Sequence, residues 1–185
     1  MTQLSPPNPL VLIVLDGWGI REKSEDNAIT QANTPYYDEL LKKYPWTTLE
    51  ASGKAVGLPE GKAGNSETGH MNLGAGFIVK QDVVRISEAI ENKEFFSNKI
   101  LLEASNHIKK HESSLHIMGL LSDANVHSEY THILALLDFA QQENVENMYL
   151  HLFTDGRDSS PTEGKKFVGK LQDHISKTGV GQIAS

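Results

Sequence analysis

Leu10-Val11-Leu12-Ile13-Val14-Leu15-Asp16-Gly17 is the stretch on which the fold reading turns. Six apolar residues run on without alternation. A strand with one wet face alternates apolar and polar side chains. A continuous run of branched residues is expected of a strand buried on both faces, as in parallel sheets covered by helices. The run stops abruptly at Asp16-Gly17-Trp18-Gly19. Parallel α/β sheets bind ligands at the carboxyl ends of their strands. Asp16 is therefore a candidate metal ligand and equally a turn former, since Asp-Gly is a strong turn signal.

Working outward, Met1 to Asn8 is a polar, proline-containing lead-in, expected to be loosely ordered. After the Asp16 turn, Asp26 to Thr34 is a polar connection. Thr34 as N-cap and Pro35 at the first helical position start a helix with Tyr37, Leu40 and Leu41 at helical spacing. Trp46 to Ala51 reads as a second strand. Residues 52–65 form a long Gly- and Pro-containing loop, of the kind that more often carries function than idles. The loop leads into Gly64-Asn65-Ser66-Glu67-Thr68-Gly69-His70, with a short helix running on through Leu73. Ser66 lies between two glycines that let a ligand approach the backbone. Free N–H groups at a helix start can dock an anion. Two readings stay open: Ser66 takes up a phosphoryl group, or Ser66 is an N-cap with Glu67 complementing the helix dipole.

From Ile78 the pattern changes. Helices are expected over Asp82–Glu91, Asn98–Lys110, Glu129–Glu143 and Thr162–Lys177. Strands are expected over Ser114–Leu121 and Asn147–Thr154, and Gln182–Ser185 begins a further one. Alternating strands and helices predict a parallel sheet with covering helices. Two strands end in polar clusters, Ser122 to Ser128 and Asp155-Gly156-Arg157-Asp158, which open on the same sheet edge. Arg157 offers a fork of donors for phosphate or carboxylate, and His127 can donate to an oxygen or move a proton. The alternative is that Asp155 and Asp158 cap turns and His127 is solvated. His107, His111 and His116 receive no role.

Composition narrows the classes. The chain has 185 residues, 38% hydrophobic and 22% charged, with a net charge of −7. Those are globular values, and the negative balance argues against a nucleic-acid surface. There is no cysteine, hence no disulfide or thiolate metal site, which fits a cytoplasmic protein. The longest apolar run is too short to span a bilayer, and no signal peptide is evident.

Val14 to Gly19, Val56-Gly57-Leu58-Pro59-Glu60-Gly61, Gly64 to Gly76, Met118 to Asp123, Val126-His127-Ser128 and Asp155 to Asp158 together resemble cofactor-independent phosphoglycerate mutase. The resemblance implies a parallel α/β fold: residues 1–80 as part of an alkaline-phosphatase-like metal-binding domain, and residues 81–185 as part of an inserted phosphotransferase, substrate-binding domain. It implies a glycolytic isomerase that interconverts 2- and 3-phosphoglycerate through a phosphoserine intermediate. Two Mn2+ or similar divalent ions serve as cofactors, without 2,3-bisphosphoglycerate. Asp16 matches a metal ligand. Ser66 matches the nucleophile and contacts the same metal. His127, Arg157 and Asp158 match substrate-binding residues. The implied partner is a small phosphorylated substrate, with no nucleic acid and no membrane, and the complete enzyme is expected to be a monomer. Lys62-Ala63, Thr68, Ala124-Asn125 and Ser159-Ser160 depart from the usual residues. The resemblance covers about the first third of such a chain, so the remaining metal ligands and substrate arginines are expected outside it. With two strands, residues 1–80 are too few to bury a sheet alone, and exposed apolar surface is expected there. A phosphohydrolase or phosphopentomutase of the same superfamily, and a non-catalytic anion-binding remnant, are the competing readings.

Overall fold

The computed structural model describes residues 9–21 and 25–185. The lead-in expected over Met1 to Asn8 lies outside the described residues. The first part of the chain holds short helices joined by irregular backbone. Helix α1 (Ala28–Gln31) is capped by Asn27, whose side chain accepts from the Ile29 N–H. Helix α2 (Pro35–Lys43) begins with proline at its first turn, as the sequence predicts. Thr34, however, leaves the backbone N–H groups uncapped; its hydroxyl donates to Asp38 Oδ1 at 3.2 Å. A 3-10 turn over Gly53–Val56 then leads to helix α3 (Ser66–Ala75).

The strands expected over residues 10–15 and 46–51 do not form. Both stretches are irregular, and their side chains lie in solvent, Leu10 81% and Leu12 82% exposed. The physical reason is pairing. A strand is stable when a neighbour takes its N–H and C=O groups, and among the described residues before 81 there is no strand to pair with.

The second part has the expected α/β alternation. Helices α4 (Asp82–Glu91) and α5 (Lys99–His111) precede strand β1 (Leu115–Leu121). Helix α6 (Tyr130–Gln142), strand β2 (Met148–Thr154), helix α7 (Gly164–Thr178) and strand β3 (Gln182–Ile183) follow. The sheet is parallel throughout, in the order β1-β2-β3, with Leu115 opposite Met148 and Leu121 opposite Thr154. One sheet face is the core: Leu121, Met148 and Leu150 pack with Ile133, Leu137 and Ala140 of α6 and with Phe167 and Leu171 of α7. The other face is open, with Met118 70% and Phe153 57% exposed. The covering expected from the sequence is thus present on one side.

Hydrogen bonds join the two parts. The Gln81 N–H donates to the Gly57 carbonyl at 2.9 Å. Lys62 Nζ donates to the Ala124 carbonyl at 2.9 Å. Within the second part, Ser87 Oγ and His132 Nε2 lie 2.9 Å apart between α4 and α6. Gly57 is required at its position: its φ is +78°, and a Cβ there would overlap the Val79 carbonyl oxygen.

Core and exposed apolar residues should respond differently to truncation. Leu150, wholly buried, should lose roughly 2–5 kcal/mol on Leu150→Ala. Leu12→Ala should stay within about 0.5 kcal/mol, as for a surface position. Urea unfolding followed by circular dichroism measures both; equal effects would place Leu12 in a packed core.

Candidate active site

The Ser66 segment is built by its neighbour. Asn65, in extended conformation, accepts the Thr68 N–H through Oδ1 at 2.9 Å. In return the Asn65 N–H reaches Thr68 Oγ1 at 3.4 Å. This reciprocal capping box places the N-cap at Asn65. Ser66 is consequently the first helical residue, and the N-cap reading of Ser66 is corrected. Its hydroxyl is left free of capping and stands exposed at the helix start.

The turn after residue 15 faces this helix start. The Trp18 N–H donates to the Leu15 carbonyl at 3.1 Å, and Gly17 takes a φ of +76°. The Trp18 ring meets Tyr37 edge-on at 5.2 Å, which anchors the turn on α2. Asp16 and Ser66, fifty residues apart in sequence, line the same cleft of about 480 Å3. His70 lines it too, and sequence reasoning missed it. His70 Nδ1 lies 3.2 Å from Ser66 Oγ and 2.8 Å from the Ser66 carbonyl oxygen. With Nδ1 protonated the ring donates to the carbonyl; with Nδ1 bare it accepts from the hydroxyl. The one-turn spacing of Ser66 and His70 was the available signal.

The chemistry of this donor set bears on a divalent metal. A bound ion takes four or more ligands. Asp16 and Ser66 offer oxygens in one cleft, but no group of three or more His, Asp or Glu gathers to hold an ion among the described residues. These residues therefore fit part of one metal site and do not complete a pair.

The second cluster forms where β1 and β2 end side by side. Ser122 is 1% exposed, and its hydroxyl donates to Asp155 Oδ2 at 2.7 Å. Asp155 also accepts the N–H groups of Arg157 at 2.9 Å, Asp158 at 3.2 Å and Ser159 at 2.9 Å. The turn-capping reading of Asp155 is the one observed. The Ser122 hydroxyl foremost, then the Arg157 N–H and the other two amides, hold the Asp155 carboxyl well below the usual carboxylate range, with desolvation opposing.

Of the three residues expected to converge here, two approach each other. His127 Nε2 lies 3.8 Å from Asp158 Oδ2, too long for a hydrogen bond, and the His127 side chain is 74% exposed. The Arg157 guanidinium is exposed and has no partner among the described residues. A second cleft, of about 770 Å3, lies between the two parts of the chain. His127 and Lys62 line it, and Arg157 and Asp158 do not. Asn65 and Thr68 line both clefts, so the first turn of α3 separates them.

A parallel α/β sheet with polar loops at its carboxyl edge, set beside a serine-bearing helix start, defines an α/β protein whose Ala124–His127 loop lines the second cleft. Residues 86–185 match the family described as BPG-independent PGAM N-terminus (iPGM_N), and the chain belongs to that family. It is 51% identical over 177 residues to the 2,3-bisphosphoglycerate-independent phosphoglycerate mutase of Clostridium beijerinckii, covering 96% of this chain and 35% of that protein. It is 50% identical over 182 residues to the protein of the same name from Cyanothece sp., covering 98% and 34%. Among solved structures, a phosphoglycerate mutase of Leishmania mexicana at low cobalt concentration superposes with a TM-score of 0.73 at 31% identity, covering 92% of this chain and 32% of that one. The chain thus spans about a third of the length of these relatives.

Asp155 should set part of the acid stability. Its folded pKa is depressed, so its contribution is present above the ordinary carboxylate pKa and is lost as pH falls through the folded value. Urea midpoints measured from about pH 5 down to about pH 2 should fall less steeply for Asp155→Asn than for the wild type, with the variant less stable at neutral pH. Parallel acid limbs would remove Asp155 from that role.

Proposed function

We propose that this chain is the N-terminal portion of a phosphoglycerate mutase that interconverts 2- and 3-phosphoglycerate through a phosphoserine at Ser66. The observation that carries the proposal is the shared cleft of Asp16 and Ser66, joined from distant parts of the sequence. Family membership and relatives named phosphoglycerate mutase support it. In this reading, residues 1–80 belong to a metal-binding domain and residues 81–185 to a substrate-binding domain. The protein acts in the cytoplasm, as a monomer when complete, on a small-molecule substrate and without 2,3-bisphosphoglycerate.

This chain's residues divide the work. Ser66 Oγ receives the phosphoryl group. The Ser66 and Glu67 N–H groups at the start of α3 have no intrahelical partner and favour its negative charge. His70 Nδ1 holds the Ser66 hydroxyl when the ring is bare there, which keeps that proton on a defined acceptor. His127, Arg157 and Asp158 hold the glycerate while it reorients. Asp16 and Ser66 would contribute to the ligands of one divalent ion. When bound, two Mn2+ or similar ions lower the pKa of the serine hydroxyl and neutralise phosphate charge.

The 185-residue chain incubated with manganese and 3-phosphoglycerate should show no sustained turnover, because it supplies part of one metal site. Repeated turnover at about 1 per second or faster would contradict this. In a full-length protein carrying this chain, mass spectrometry after incubation with substrate should place a phosphoryl group on Ser66, and Ser66→Ala should abolish exchange. Activity retained by Ser66→Ala would end the proposal. In the same protein, Arg157→Ala should cost roughly 2–3 kcal/mol or more in kcat/KM, the scale of lost charge-assisted hydrogen bonds. Unchanged kinetics would take Arg157 out of the substrate site.

A further inference from the structure

Lys62 stands in the loop before α3 and reaches across to the other part of the chain. Its ammonium donates to the Ala124 carbonyl at 2.9 Å, in the loop that carries His127. Lys62, Ala124 and His127 line the same cleft between the two parts. Two further cations in that cleft are already engaged. Lys80 Nζ sits 2.7 Å from Glu88 Oε1, and Arg85 Nη1 sits 2.8 Å from Asp82 Oδ1. Lys62 has no carboxylate partner among the described residues and is half-buried. An ammonium has three donors, and one is used. The carbonyl anchor holds the remaining two in place, and partial burial strengthens their pull on an anion.

From this we infer that Lys62 is an anion-binding residue of the cleft between the two parts, contacting the phosphate or carboxylate of a small phosphorylated hydroxy acid beside His127. The inference rests on the mutase reading for the substrate class, and on the Lys62 geometry for the site. The contact also explains why the ammonium is tied to a carbonyl: the bond links the loop that leads to Ser66 with the loop bearing His127, so ligand in the cleft touches both. Glu67 lines the same cleft and opposes an anion there.

The test is a titration of the 185-residue chain followed by amide NMR shifts, with 3-phosphoglycerate, inorganic phosphate and a simple aryl phosphate as probes. Shifts are expected at Lys62 and over residues 124–127. Lys62→Met should bind 3-phosphoglycerate about tenfold more weakly, the loss of a charge-assisted contact. Lys62→Arg should retain most of the affinity, and Glu67→Gln should raise it. Wild-type dispersion of the amide spectrum in each variant confirms that it folds. Undiminished binding by Lys62→Met, or shifts confined to Ser66 and the Asp16 turn, overturns the Lys62 site and leaves the mutase reading standing. Lys62-dependent binding with no preference for 3-phosphoglycerate over the other two probes upholds the anion contact and counts against the mutase reading. No binding of any probe overturns the inference.

Discussion

Ser122 and Asp155 meet one residue past the ends of two neighbouring parallel strands, and their 2.7 Å hydrogen bond joins the loops that leave the sheet there. The hydroxyl is buried, so an absent partner would leave it unsatisfied at a cost of roughly 1–3 kcal/mol. The carboxylate is the hub of its own loop, because three successive amides turn back onto it. The same hydroxyl accepts the Ala124 N–H at 3.2 Å and thereby shapes the loop that brings His127 forward. The positions of His127, Arg157 and Asp158 all depend on this one pair. None of those three side chains is itself held by a strong contact.

The two parts of the chain are stabilised in different ways. The second has a sheet face packed under α6 and α7, with Leu137, Leu150 and Leu171 fully buried. The first relies on capping, one aromatic pair and the loop that tucks Val56 and Leu58 inward. Its strongest apolar run stands in solvent. The Ser66 cleft therefore has one wall, the start of α3, built by a local capping box, and another, the Asp16 turn, that follows an unpaired segment. Local hydrogen bonds suffice to shape a helix start. They do not suffice to make a strand, whose hydrogen bonds all go to other segments.

Much of the architecture was legible in the residues. The helices and strands of the second part follow from periodicity, and their alternation from the parallel rule, because those signals depend on neighbours a few positions away. The glycine-flanked serine marked a helix start, although Asn65 rather than Ser66 proved to be the cap, since its amide oxygen reaches the third helical N–H. Residues 10–15 were legible as apolar but not as unpaired. The pattern reports what a segment could bury, and burial requires partners elsewhere.

By itself, the sequence determined which side chains are available for chemistry, the order of helices and parallel strands after residue 81, and the motifs that mark the family. The tertiary structure alone decided that His70 lies on the Ser66 hydroxyl and that Lys62 crosses to Ala124. It also decided that Asp155 is a loop organiser and that one sheet face stays open. The division has a physical cause. Propensity and periodicity act over a turn or two of chain, whereas a contact spanning 62 residues, such as Lys62 to Ala124, exists only once the path between them is folded.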